Sequence, residues 1–385
     1  MARIAVVTPI LPVPQDMTRG RFIYETTRAL SRIADVRVFL TQAHYPQLKL
    51  LQPGRHPSVL ADADHTLPGV DIQTVRYPAL PLVSRLTNGW VAGRQLLAPI
   101  RDFKPDAVIG YWVYPEGAAA QYVARRLKIP SILGALGTDI NDRHGLNEWL
   151  TRRTLLAADR TIFVSAAMAR HATHHYGVSP SRCATIVNGI NTAVFHPQDQ
   201  AAVRAELGVP ATERLVVYVG RLIEAKGLRE LAQAMQRLRQ SGHPTRLVVI
   251  GEGDFKAPLQ DLIQGLELGG QVRLVGGLVP QEVAKWVNAA DFLTLPSWSE
   301  GYPNVLVEAL ACGCPIVATA VGGIPEIVHQ DNGVMVQARD AESLFQGFVT
   351  AFERKWNRAQ IAESMKRTWD DVARETLAVF RDMTP

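Results

Sequence analysis

Two cations stand five residues apart in Gly220-Arg-Leu-Ile-Glu-Ala-Lys-Gly227, directly after the apolar run Leu215 to Val219. Arginine offers a planar fork of donors and lysine a mobile point charge, so Arg221 and Lys226 together suit a diphosphate whose charge must be neutralised. By itself this segment reads first as a solvated basic turn ahead of a helix. A second segment changes the balance. Residues 296 to 310 run Pro-Ser-Trp-Ser-Glu-Gly-Tyr-Pro-Asn-Val-Leu-Val-Glu-Ala-Leu, again after an apolar run, Phe292 to Leu295. Pro303 suits a first-turn position, so a helix is expected to start there and to aim the backbone N–H groups of Asn304, Val305 and Leu306 at an anion. Glu308, four residues beyond Asn304 on the same helical face, can reach a ribose diol. Glu300, in the loop before the helix, can accept hydrogen bonds from two hydroxyls of a sugar. The plain alternative is a capped amphipathic helix with acids near its positive end, and the companion Arg/Lys loop weighs against it.

The elements that must hold these residues follow from the alternation of short β-rich runs with amphipathic stretches, the pattern of parallel sheets wrapped by crossover helices. Strands are expected at Ile4 to Val7, Val36 to Leu40, Ala107 to Trp112, Ser131 to Leu136 and Thr161 to Val164. After a polar connector the pattern restarts with Leu215 to Val219, Arg246 to Ile250, Val272 to Val275, Phe292 to Leu295 and Pro315 to Ala318. A chain of 385 residues has room for two cores. In open parallel sheets, ligands sit beyond the carboxyl ends of the strands, where both motifs fall.

With these two segments, Gly322-Gly323-Ile324-Pro325-Glu326, Gly251-Glu252-Gly253, and Val187-Asn188-Gly189-Ile190-Asn191 followed by Phe195 and Pro197, the chain resembles the family 4 retaining glycosyltransferases over nearly its whole length. The resemblance implies an α/β GT-B fold, two Rossmann-like domains facing each other across a cleft. It implies an acceptor-side domain at 1–197, a nucleotide-sugar donor domain at 198–365, and a terminal helix at 366–385 packing back toward the first domain. By resemblance, Gly220, Arg221 and Lys226 bind the donor diphosphate, Glu300 contacts the sugar and Glu308 the ribose. A base pocket formed largely by backbone falls near Gly276 to Val279, which favours a UDP-sugar and leaves a GDP-sugar open. The implied reaction retains the anomeric configuration without a covalent intermediate, and the leaving phosphate takes the acceptor's proton. No cofactor or metal is expected, since Arg221, Lys226 and the helix end supply the positive charge, and the chain is expected to lack an Asp-x-Asp triplet of the kind that holds a divalent cation on a donor diphosphate.

In the first half, Thr18-Arg19-Gly20-Arg21-Phe22 reads as a glycine loop where backbone can approach phosphate, or as a simple strand-to-helix turn. Leu136-Gly137-Thr138-Asp139-Ile140 follows a strand, making Asp139 a candidate acceptor-positioning acid. Where many relatives carry a histidine three residues before this acid, Leu136 stands here, and His144 is the possible substitute. His171-x-x-His174-His175 has a metal-like spacing but no third ligand, so it reads as surface histidines. Trp112, Tyr114 and Trp149 read as packing residues ahead of an acceptor-groove role.

Residues 1 to 197 carry 22 Lys+Arg against 13 Asp+Glu, and the remainder 19 against 23. Such a basic half can attract an anionic membrane, an anionic glycan or nucleic acid. Nucleic acid is disfavoured because no basic motif interleaved with stacking aromatics is present. The apolar stretch Ile4 to Val13, broken by Pro9 and Pro12, is too short to span a bilayer. The odd count of Cys183, Cys312 and Cys314 fits reduced thiols. Together these lead to the expectation of a cytoplasmic enzyme, peripheral on the inner face of the cell membrane, acting on a saccharide or lipid-linked saccharide in polysaccharide or glycoconjugate biosynthesis. A sugar-nucleotide epimerase of the same fold would need no acceptor, and a non-catalytic sugar-binding protein would not need the Arg/Lys pair.

Overall fold

The computed structural model describes residues 1–14, 16, 19–45, 65–80, 84–141 and 143–383. The chain divides into two units, Met1–Gly189 with Trp369–Pro385, and Ile190–Thr368. These limits lie at Gly189/Ile190 and Thr368/Trp369, against the expected 197/198 and 365/366. The two chain crossings run side by side, with the Ile190 amide donating to the Arg367 carbonyl at 2.9 Å.

The first unit holds a parallel sheet of seven strands: β1 Arg3–Thr8, β2 Asp35–His44, β3 Asp71–Pro78, β4 Ala107–Tyr111, β5 Ser131–Ala135, β6 Arg160–Phe163 and β7 Cys183–Thr185, in spatial order β3-β2-β1-β4-β5-β6-β7. Its central strands are buried on both faces, which is why they read as continuous apolar runs. Alternate residues of one strand enter different cores. Ile4 and Val6 join a cluster with Val38, Ile109, Leu377 and Phe380, whereas Ala5 and Val7 join one with Phe39, Val108, Leu96 and Val123. The helix Trp369–Arg381 therefore closes one face beside the helix Arg21–Leu30, with Arg32 and Asp370 paired at 2.8 Å.

The second unit holds six parallel strands: β8 Arg214–Val219, β9 Thr245–Ile250, β10 Val272–Gly276, β11 Phe292–Leu295, β12 Ile316–Thr319 and β13 Gly333–Val336, ordered β10-β9-β8-β11-β12-β13. One core wraps this sheet, with Tyr218, Phe292 and Phe348 fully buried. Strand order reverses between β1 and β4 in the first sheet and between β8 and β11 in the second, so each sheet has its crevice-forming switch point there.

Candidate active site

The second unit's switch point carries both donor-side motifs. After β8 the Leu222 amide donates to the Glu252 carbonyl at 2.9 Å, and the Tyr218 hydroxyl donates to the Arg221 carbonyl at 3.0 Å. The loop ends at Gly227, whose φ of +68° opens the helix Leu228–Gln240 and whose missing Cβ would lie 2.0 Å from the Pro296 carbonyl oxygen. Only glycine lets the segment after β11 lie this close. The Trp298 amide then donates to the Ala225 carbonyl at 2.9 Å.

These contacts bring the acid of one motif onto the cation of the other. Lys226 Nζ donates to Glu300 Oε1 at 2.5 Å, and Ser297 Oγ donates to the same oxygen at 2.6 Å. Glu300 is held from behind by the loop after β12. Gly322 has φ +54°, and a Cβ there would stand 1.8 Å from the Glu300 carbonyl oxygen. Lys226 and Glu300 cancel each other's charge, and Arg221, exposed and without a carboxylate partner among the described residues, leaves a surplus positive charge beside them. That arrangement can hold an anion through Arg221 while Lys226, with three donors, bridges anion and Glu300.

The helix after this loop runs Asn304–Ala311 with Pro303 as its cap. The Leu306 amide donates to the Pro303 carbonyl at 3.1 Å, closing a tight first turn, so an anion there would share this N–H with Pro303. Asn304, Val305 and Glu308 are all half-buried on this helix. The segment Gly276 to Val279 follows β10, with Val279 57% exposed.

In the first unit, Thr18 lies outside the described residues. Gly20 has φ +61°, and a Cβ there would meet the Ile10 carbonyl oxygen at 2.7 Å, so packing against its own chain already demands glycine. Asp139 is fully buried. Its Oδ1 accepts the Leu136 and Gly137 amides at 2.9 and 2.8 Å, and its Oδ2 accepts the Val113 amide at 3.3 Å. An acid so enclosed cannot contact a bound acceptor here; it ties the loop after β5 to the turn after β4. Burial raises its pKa, opposed by those three amides and by Arg143. His144 is exposed. Trp149 corrects another expectation: it is 50% exposed with Arg153 over its ring at 5.5 Å, so it does not pack inside. His174 and His175 are exposed, and His175 pairs with Glu148 at 2.8 Å.

The reading from spacing missed Glu116. It follows β4 at the first sheet's switch point, 3% exposed, with Thr41 Oγ1 donating to Oε1 at 3.3 Å and Oε2 without a hydrogen-bond partner among the described residues. Burial pushes its carboxyl up to about 7. The one signal was its position after a strand at the crevice edge. The expectation of a chain without an Asp-x-Asp triplet is corrected by one such triplet, Asp62-Ala63-Asp64 in the first half, which lies outside the described residues.

The model for "Glycosyltransferase Family 4" matches residues 20–194, and that for "Glycosyl transferases group 1" matches residues 199–368. The putative teichuronic acid biosynthesis glycosyltransferase TuaC of Bacillus subtilis is 29% identical over 276 residues, covering 70% of this chain and 67% of that protein. The D-inositol 3-phosphate glycosyltransferase of Segniliparus rotundus is 32% identical over 234 residues, covering 58% and 52%. This chain thus spans between about half and two-thirds of these relatives. Two solved structures share the fold. Sucrose-phosphate synthase from Thermosynechococcus elongatus has a TM-score of 0.77 at 20% identity, covering 100% of this chain and 99% of that one. Anabaena Alr3699/HepE, solved with UDP and glucose, has 0.76 at 17%, covering 99% and 100%. With its two Rossmann-like domains of GT-B type, the chain belongs to the group 1, family 4 glycosyltransferases.

Proposed function

We propose that the protein is a retaining glycosyltransferase that moves a sugar from a nucleotide-sugar donor, UDP-sugar first, to a saccharide acceptor. The observation carrying this reading is the Lys226–Glu300 pair beside Arg221, which has no carboxylate partner among the described residues, at the second sheet's switch point. In the proposed reaction Arg221 and Lys226 take up the charge that grows on the departing diphosphate, and Glu300 holds the sugar's hydroxyls. Glu308 receives the ribose. The acceptor hydroxyl attacks the anomeric carbon from the face the diphosphate leaves: a C–O bond forms as the C–O bond to the phosphate breaks, and the acceptor's proton passes to the leaving phosphate. These protein cations make a divalent ion unnecessary in the proposal, so transfer should survive EDTA.

Support for the nucleotide comes from the UDP and glucose bound by the structurally similar HepE, and for a polysaccharide or glycoconjugate setting from the name of the TuaC relative. The basic first half supports an acceptor carried on an anionic membrane. No helix of the described residues is long and apolar enough to cross a membrane. The test is a thermal-shift panel of UDP-, GDP-, ADP- and dTDP-sugars with Glu300→Ala as control. Stabilisation by one sugar nucleotide, weakened in the control, is the expected result. No response to any nucleotide would overturn the donor site.

A further inference from the structure

Large apolar side chains left in solvent mark contact surfaces when they cluster. Here they cluster at two helix starts of the first unit. In the helix Asn88–Phe103, Trp90 is 51% exposed, and Leu86, four residues earlier, is 55% exposed. In the helix Leu146–Ala157, Trp149 is 50% and Leu146 44% exposed. Each tryptophan carries an arginine on its ring face, Arg94 at 4.9 Å over Trp90 and Arg153 at 5.5 Å over Trp149.

Tyr114, in the turn after β4, joins the two clusters. Its hydroxyl donates to the Arg85 carbonyl, its ring edge stands 3.3 Å from where a Gly89 Cβ would be, and its turn, Val113–Gly117, packs against the helix Leu146–Ala157. Arg85, Arg94 and Arg153 have no carboxylate partner among the described residues, and the nearby acid Glu148 is occupied by His175. The two helices follow β3 and β5, so they begin at the carboxyl edge of the first sheet. The surface is thus apolar, aromatic and cationic at once. Tryptophan settles at the boundary between hydrocarbon and headgroups, and arginine pairs with lipid phosphate.

We propose that Leu86, Trp90, Leu146 and Trp149, with Arg85, Arg94 and Arg153, dock the protein on an anionic phospholipid bilayer, so that the acceptor edge of the first sheet lies at the headgroups. This rests on the reading of a membrane-carried acceptor given above. The test is co-sedimentation of the full chain with vesicles of phosphatidylcholine alone or mixed with phosphatidylglycerol, at low and high salt. Binding to the anionic vesicles, reversed by salt, is expected. The double variant Trp90→Ser/Trp149→Ser and the charge reversal Arg94→Glu/Arg153→Glu should each lower the partition coefficient at least about tenfold. Both variants should keep the wild-type thermal shift with sugar nucleotide, which reports the folded donor domain.

Equal binding by wild type and variants, or none by wild type, would overturn the surface. So would a dimer in solution that the tryptophan variant dissociates, since the patch would then belong to a second copy of the chain. Vesicle binding without any nucleotide response would leave the surface standing and bring down the transferase reading instead.

Discussion

Lys226 Nζ and Glu300 Oε1 are 2.5 Å apart although 74 residues separate them in sequence. They meet because β8 and β11 are neighbours and Gly227 lets the following backbones touch. The pair presents the lysine in one place before any donor arrives, which lowers the ordering cost of binding. A charge-assisted hydrogen bond to a phosphate is worth about 1.5–3 kcal/mol, so Lys226→Ala is expected to weaken UDP binding by roughly 10- to 100-fold in calorimetry. Glu300→Ala should instead depress the transfer rate more than UDP affinity, since its carboxylate serves the sugar.

Gly322→Ala tests the brace behind Glu300. A methyl group there would lie 1.8 Å from the Glu300 carbonyl oxygen at a φ of +54°, so the loop must shift. Left-handed backbone alone costs a β-carbon residue about 1–2 kcal/mol, and the clash adds to it. Transfer activity should fall sharply while far-ultraviolet circular dichroism stays that of the wild type. Wild-type kinetics would show that the loop after β12 does not set the position of Glu300.

The donor half was the more legible of the two. Its central strands are largely apolar, with β11 and β12 buried throughout, and its chemistry lies in loops directly after strands, so Arg221, Lys226 and Glu300 could be placed at one sheet edge from spacing alone. Their mutual contact could not, because it depends on strand order. The local bond from the Leu306 amide to the Pro303 carbonyl was likewise not legible, since it depends on how tightly the first turn closes. The strands β3, β7 and β13 were not read from the sequence because β3 is an edge strand with alternating exposure, β7 has only three residues and none buried, and β13 is an edge strand with Met335 exposed. Glu116 and Asp139 share one physical cause. A carboxylate in a sequence reads as solvent-facing, and only the fold shows that both of these are buried.

Asp139→Ala would leave the Leu136, Gly137 and Val113 amides buried without an acceptor. Each such loss costs about 1–3 kcal/mol, so chemical denaturation should show at least about 3 kcal/mol of destabilisation. Asp139→Asn keeps one acceptor oxygen and should lose roughly half as much. If Asp139→Ala instead keeps full stability and loses only acceptor affinity, the acid acts on the acceptor and not on the loop.

Glu116 gives stability a pH dependence of unusual sign for a carboxylate. Its folded pKa, raised to about 7 by burial, lies above the ordinary value, so between the two the folded chain binds a proton that the unfolded chain has released. Unfolding free energy from this group is then fully present below the ordinary carboxylate range and is lost as pH rises toward about 7, a change on the order of 3 kcal/mol. Glu116→Gln mimics the protonated side chain at every pH. Its melting temperature should lie close to the wild type at about pH 4 and exceed it at about pH 8. Parallel pH profiles for the two proteins would mean that Glu116 is ionised in the folded chain at neutral pH, with its buried Oε2 satisfied by a partner such as water.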